Sequence, residues 1–373
     1  EKAMRQTRRM LLLGAVGAIA LAGAASAQEF KDTQIPLTGE KVEGAPFTIQ
    51  RDWGTFTLAD RIAEKVKAGD KINYVFSYQA SGIPLFSPQY AAGFDMGCKM
   101  AQQIYPMDCA AIAPVQNDAN QQVAQIEAKV AAGEIDCLGI EPVDSNSLTA
   151  ITNRLMDEGI PVFTAGVPSN GHEFTRFTQV PLLEGKYVAE AVLQWMKDNG
   201  KEDLKVFAVS GGDPTQEWAQ GRMKSFVETI KAAIPDAEFI TTEANGLNTS
   251  YEPGQAYEIY RSFLTANPNV QVIENVDIGA EHAARAIESL GMTGQVFTVG
   301  WNSSHGQLDA IEKGIQIAQF DQRWPDQAGF GAVACAALFK NGEILPNTQT
   351  LKAVFLKDVP QAREELNNTM GQQ

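Results

Sequence analysis

The stretch Gln295 to Phe330, QVFTVGWNSSHGQLDAIEKGIQIAQFDQRWPDQAGF, sets the pattern for the whole chain. It opens with Val296 to Val299, an apolar run too short for a helix and rich in β-branched residues. That reads as a buried parallel strand. The run ends in Gly300-Trp301-Asn302, an aromatic and an amide at a strand's carboxyl end, where an open α/β sheet holds its ligand. A helix is expected over Gly306 to Lys313, and a second strand, Ile315 to Phe320, ends in Asp321-Gln322-Arg323-Trp324-Pro325. Flat apolar faces beside planar hydrogen-bonding groups suit a small polyhydroxylated ligand. The competing reading is two core tryptophans with ordinary loop residues beside them.

The same alternation extends upstream. Strands are expected at Ile72 to Ser77, Ala110 to Ala113, Cys137 to Ile140 and Pro161 to Thr164, with helices between them at Pro88 to Ile104, Asn120 to Ala132 and Asn146 to Glu158. After Gly166 to Gly171 it restarts with a helix, Leu183 to Asp198, and strands from Lys205, Glu238 and Val270. A last helix, Asp326 to Lys340, precedes an extended Leu351 to Leu356. Strands joined through helices across short loops mean parallel, doubly wound sheets. There are too many strands for one comfortable sheet, so two lobes are expected.

Composition bounds the rest. The 373 residues are 44% hydrophobic and 20% charged, as in a globular chain long enough for two lobes. Met4 to Ala27 reads as an export signal: Arg5, Arg8 and Arg9, an apolar run to Ala24, then Ala25-Ser26-Ala27 as the cleavage site. Glu1 to Ala3 are expected to precede the true start, and the two arginines fit either a general-secretion or a twin-arginine signal. Removing residues 1–27 takes away Lys2, Arg5, Arg8, Arg9 and Glu1, so the formal charge moves from −15 to −18. So acidic a chain argues against nucleic acid and anionic membrane surfaces as partners. Export places the cysteines in an oxidising compartment. A Cys98–Cys109 bridge is expected from their positions at a helix end and the next strand, whereas Cys137 and Cys335 read as inert buried thiols. No spacing of Cys or His suggests a metal, and no cofactor is expected.

The order of motifs resembles the type I periplasmic sugar-binding proteins of bacterial ABC importers, the ribose-binding kind, over about residues 70–357. Pro84-Leu85-Phe86 resembles the family's Asn-Pro-Phe-Phe loop, whose aromatic stacks on sugar, and Gln116-Asn117 its polar pair. Arg222-Met223-Lys224-Ser225-Phe226 resembles Arg-x-x-Gly-Phe, whose arginine bonds sugar hydroxyls. Val299-Gly300-Trp301-Asn302 stands where the family has Val-Gly-Phe-Asp. Asp321-Gln322-Arg323, then Pro325 and Gly329, resembles Asp-Gln-x-Pro-x-x-x-Gly with one residue extra. The chain departs at Gly166-Val167 and Val180-Pro181, where the family has Asp-Arg and Asp-Asn, and at Asn302, where it has aspartate. The departures imply a pocket less acidic than the family's and leave the ligand's identity open.

The resemblance implies a periplasmic solute-binding component that captures a small sugar or polyol between two lobes and passes it to an ABC permease in the inner membrane. A monomer without catalytic residues is expected. The site residues assigned are Phe86, Gln116, Asn117, Arg222, Asp277, Trp301, Asn302 and Gln322. Asp277 and Asn275 both follow a strand end, which fits binding, but a helix N-cap role for either reads nearly as well, and Trp218 reads as cleft lining or rim. Ser210-Gly211-Gly212 reads as a tight turn sooner than a phosphate cradle. The lobes are expected at 70–165 plus 321–345 and at 170–318 plus 348–360, with a lead-in at 28–69 and a tail at 361–373. The three crossings then fall near Thr164 to Gly171, Ala318 to Arg323 and Asn341 to Thr350. The alternatives are an exported carbohydrate-active enzyme, for which the Gly-x-Ser-x-Gly elbow and metal spacing are missing, and a sensory binding protein on the same fold.

Overall fold

The apolar runs become strands buried on both faces, and two parallel sheets result. The computed structural model describes residues 33–370 apart from Pro168 and Thr350. The export signal therefore lies outside the described residues, as do 28–32 of the lead-in and 371–373 of the tail.

The lead-in is structured. Strand β1 (Glu40–Lys41) precedes a hairpin of β2 (Thr48–Arg51) and β3 (Gly54–Thr57), then helix α1 (Asp60–Ala68). Arg61 and Lys65 of α1 both pair with Asp136, a fully buried carboxylate that also accepts from the Asn73 N–H. These bonds fasten the segment to the first lobe.

That lobe runs through β4 (Ile72–Ser77), α2 (Phe86–Ile104), β5 (Met107–Ile112), α3 (Ala119–Ala131), β6 (Cys137–Ile140), α4 (Thr149–Asp157), β7 (Val162–Gly166) and β8 (Arg176–Thr178). The second lobe follows as α5 (Pro181–Asp198), β9 (Val206–Gly211), α6 (Glu217–Ala233), β10 (Glu238–Phe239), β11 (Leu247–Asn248) and α7 (Pro253–Ala266). It continues through β12 (Val272–Asn275), α8 (Ala280–Ser289), β13 (Phe297–Trp301), α9 (His305–Glu312) and β14 (Gln316–Asp321). The chain returns to the first lobe with α10 (Trp324–Asn341), β15 (Glu343–Ile344) and β16 (Thr348–Gln349), then ends in the second with β17 (Lys352–Val354) and α11 (Val359–Met370). The first sheet has the order β16-β8-β7-β6-β4-β5 and is parallel throughout. The second, β10-β9-β12-β13-β14-β17, is parallel except for β17 at its edge, and β11 also pairs with β9.

Two expected boundaries are corrected. Because β8 pairs with β7, the first crossing falls after Thr178 and not at Thr164 to Gly171. A three-residue strand with an arginine in it carries no hydrophobic period to read. The last segment of the second lobe begins after Gln349 and not at 348, since Thr348 and Gln349 pair with β8; that crossing lies at the end of the expected Asn341 to Thr350 stretch. The expected tail, from 361, lies in α11, whose Val359, Ala362 and Leu366 pack with Leu308 and Ile311 of α9.

Cys98 bridges to Cys109, and Cys137 bridges to Cys335, so the latter two are not thiols. The second bridge joins β6 to α10 across 198 residues, a proximity no local pattern encodes. α10 packs along α2, where glycines face each other: a Cβ on Gly97 would collide with the backbone of Gly329.

Candidate functional site

The cleft lies between the carboxyl ends of the two sheets, a space of about 470 Å³ counting its mouth. Its lining comes from strand-end loops of both lobes and from the crossings: Gln79, Ile83, Phe86, Asn117 and Glu141 from lobe 1, Trp218, Tyr251, Asp277, Ile278 and Asn302 from lobe 2, and Gln179, Gln322 and Trp324 at the crossings. The lobes also touch directly. The Ser145 hydroxyl donates to Glu217 at 3.1 Å, and the Gln89 amide donates to the Ser303 carbonyl at 3.3 Å.

Local geometry presents these side chains. Asp118 caps α3 by accepting from the Gln121 N–H, which sets the loop bearing Asn117. Ser304 caps α9 in the same way. Leu85, Asn302 and Arg323 have φ of 64, 68 and 61°, each at or beside a lining residue. Asn tolerates that region and Leu and Arg do not, so backbone strain gathers around the cleft.

Of the eight residues assigned from sequence, Phe86, Asn117, Asp277, Asn302 and Gln322 line the cleft. Gln116 does not: it is exposed, one residue out of phase with Asn117. Trp301 does not either. It is fully buried in the core of lobe 2 with Phe226 and Phe320, and its indole N–H faces the buried Glu274 carboxyl without closing a well-aligned hydrogen bond. Arg222 is also fully buried, its guanidinium stacked 3.8 Å from the Trp301 ring centroid and 5.1 Å from that of Trp218. Its Nε donates to Glu184 at 2.9 Å and Nη1 to the Val276 carbonyl at 2.8 Å. Nη2 donates to Gln179 and Gln322, both at 2.9 Å. Arg222 thus holds the two crossing glutamines in place from behind the cleft wall.

The cleft is also not poor in acid. Glu141, unassigned from sequence, is 1% exposed and receives both the backbone N–H and the side-chain amide of Gln79. Burial pushes its carboxyl up to about 7, against the pull of those bonds and one from Tyr90. Gly166, at φ 68°, leaves the space this side chain fills, since a Cβ there would meet it. Asp277 is 3% exposed, and burial pushes it up to about 6, opposed by the Gly212 N–H and the Arg222 charge. The Gly212 N–H donates to Asp277 Oδ2 at 2.5 Å, so the glycine turn is filled by the protein's own carboxylate. Asn275 accepts from the N–H groups of Asp277 and Gly279 and so caps the turn. Four buried polar atoms of the lining have no partner: Asn117 Oδ1, Asp277 Oδ1, and both Oδ1 and Nδ2 of Asn302. Such atoms are costly unless something binds them.

Sequence reasoning missed Gln79, Glu141, Gln179 and Tyr251, left Trp218 undecided, and read Trp324 as a strand-end ring without assigning it to the site. Trp324 and Glu141 each follow a recognised strand end, which was a usable signal; Tyr251 follows a two-residue strand and gave none. Among the described residues no cluster of three or more His, Cys, Asp or Glu stands ready for a metal ion. None of the helices described is long and apolar enough to cross a membrane.

Two parallel-sheet lobes, three crossings and a cleft of rings, amides and carboxyls define a two-lobed binding protein of type I topology. Residues 74–343, most of the chain, match the periplasmic binding protein domain, and the chain belongs to that family. A D-ribose/D-allose-binding protein of Pseudomonas aeruginosa is 25% identical over 231 residues, 58% of this chain and 66% of that protein, just under two thirds of its length. The fold also matches a Caulobacter myo-inositol binding protein bound to myo-inositol, with a TM-score of 0.65 and 17% identity over 79% of this chain and 96% of that one. A periplasmic solute binding protein of an Actinobacillus succinogenes ABC transporter, with bound D-allose, matches with a TM-score of 0.65 and 17% identity over 78% of this chain and all of that one.

Proposed function

We propose that this chain is the exported solute-binding component of an ABC importer and captures a small sugar or polyol between its lobes for an inner-membrane permease. The observation that carries the reading is the set of unpartnered polar atoms on Asn117, Asp277 and Asn302, residues of two lobes that line one cleft with Phe86 and Trp324. Ring faces take the apolar C–H surface of a sugar, and the open amide and carboxylate atoms take its hydroxyls. The ligands in the relatives' names support a sugar-like solute. A ligand bonded to both sides favours the closed state, which is the signal a permease can read.

A thermal-shift screen of the mature chain against pentoses, hexoses and polyols tests this, because a ligand that binds only the folded state must raise its melting point. No shift with any of them would sink the reading. The buried pair Glu141 and Asp277 is the one feature an exported glycosidase would share. Release of p-nitrophenol from aryl glycosides would favour that alternative.

A further inference from the structure

The cleft is short of positive charge. In lobe 2 one guanidinium serves three carboxyls: Arg222 bonds Glu184 directly and its charge also acts on Glu274 and Asp277. All three acids are at most 3% exposed. The four hydrogen bonds of Arg222 go to Glu184, the Val276 carbonyl, Gln179 and Gln322, all of them protein groups. In lobe 1 Glu141 has only uncharged neighbours, namely Gln79, Tyr78 and Tyr90. Around Asp277 stand the Gly212, Ile278 and Gly279 N–H groups, Tyr251 and, as the sole base, Arg222. The lining itself contains no Lys, Arg or His.

Three of its four buried polar atoms without a partner are acceptors: Oδ1 of Asn117, Oδ1 of Asp277 and Oδ1 of Asn302, against the donor Asn302 Nδ2. An ammonium brings three donors, no acceptor and a positive charge. The rings of Phe86, Tyr251 and Trp324 offer faces to a cation, and the chain's formal charge of −15 draws cations towards it.

We propose that the cleft takes a polyhydroxylated ligand bearing a protonated amine, an amino sugar or amino polyol, held between Asp277 and Glu141, and turns acidic sugars away. The proposal rests on the sugar-binding reading above and narrows it. An uncharged hydroxyl can use the same acceptors but brings no counter-charge to Glu141 and leaves Asp277 sharing the one charge of Arg222. A ligand carboxylate would add a further negative charge beside them.

The test is calorimetric titration of the intact mature chain, near neutral pH, with matched sets: D-glucose, D-glucosamine and D-glucuronate; D-galactose, D-galactosamine and D-galacturonate; and ribose, allose and myo-inositol as neutral references. The amine should bind at least about tenfold tighter than its neutral partner (~1.4 kcal/mol), and the uronates should not bind measurably. Glu141→Gln and Asp277→Asn, each first shown to melt cooperatively, should bring the amine-to-neutral ratio to within about twofold. Neutral sugars binding as well as or better than the amines would overturn this inference and leave the sugar-binding reading intact. A preference that survives both substitutions would overturn the assignment to these carboxyls. If nothing in the panel binds, both readings fail.

Discussion

Arg222→Ala should damage stability first and affinity second, the reverse of what a ligand-contacting arginine would show. The side chain is fully buried and paired at 2.9 Å with Glu184, also fully buried. Removing one partner of such a pair strands a charge, which costs about 3–5 kcal/mol. At roughly 2–4 °C per kcal/mol for chains somewhat shorter than this one, the melting point should fall by at most about 6–20 °C. The Trp301 ring, 3.8 Å below, would lose its packing partner as well. Affinity should fall because Gln179 and Gln322 lose the donor that orients them. At about 0.5–1.5 kcal/mol per net hydrogen bond, that is on the order of tenfold. The double variant Arg222→Ala/Glu184→Gln removes the stranded charge and should recover part of the melting point without recovering affinity. Calorimetric melting and titration of the three proteins read both quantities. An Arg222→Ala protein that melts like its parent yet loses binding would make Arg222 a direct ligand contact and refute the positioning argument. A destabilised one with full affinity would show that the glutamines need no holding.

Glu141 and Asp277 give the ligand-free protein a pH dependence. Both are raised in the folded state, from 4.5 to about 7 and from 3.8 to about 6, so between those limits the native state holds more protons than the unfolded one. Their contribution to stability is therefore full below about pH 4 and is lost as pH rises towards about 7; Glu141→Gln should flatten that loss in melting scans, and an unchanged profile would refute it. Both disulfides should resist alkylation until reduced, and cutting the Cys137–Cys335 link with Cys335→Ala should cost up to about 5 kcal/mol by the loop-entropy estimate, against about 3 for Cys98–Cys109. Labelling of Cys335 in the unreduced protein would contradict the pairing. Asp136→Asn should cost about 1–3 kcal/mol by loosening α1, with ligand affinity unchanged because no cleft residue precedes Gln79. A change in affinity would link the lead-in to the site.

The fold was legible wherever burial leaves a continuous apolar run. Cys137–Ile140 was placed to the residue, and Val296 to Val299 and Ile315 to Phe320 came within two residues of β13 and β14. What lay hidden was short or polar. β8, with Arg176, and β16, with Thr348 and Gln349, add strands to the first sheet through pairing alone, and their absence from any pattern misplaced the first crossing and set the edge of the second lobe two residues early. The Cys137–Cys335 bridge depends on α10 returning to lobe 1 after the chain has passed through β9 to β14 of the second lobe. No residue near either cysteine announces that return.

The site was legible by position but not by direction. A strand end marks which few residues stand near a cleft, yet consecutive side chains leave a strand on opposite sides. Trp301 therefore goes into the core while Asn302, turned by its φ of 68°, goes into the cleft, and Gln116 faces solvent while Asn117 lines the wall. A motif read as a pair gives two candidates where geometry uses one. Arg222 shows the further step. It stands at the expected motif position, but Glu184 of α5 and the carbonyl of Val276 draw its guanidinium behind the wall, between two tryptophans. With the arginine committed there, holding Gln179 and Gln322 by their amide oxygens, the cleft keeps carboxyls that no cation of its own lining matches. The loss of the expected basic contact and the acid excess of the cleft are thus one structural fact, set by where a single guanidinium finds its partners.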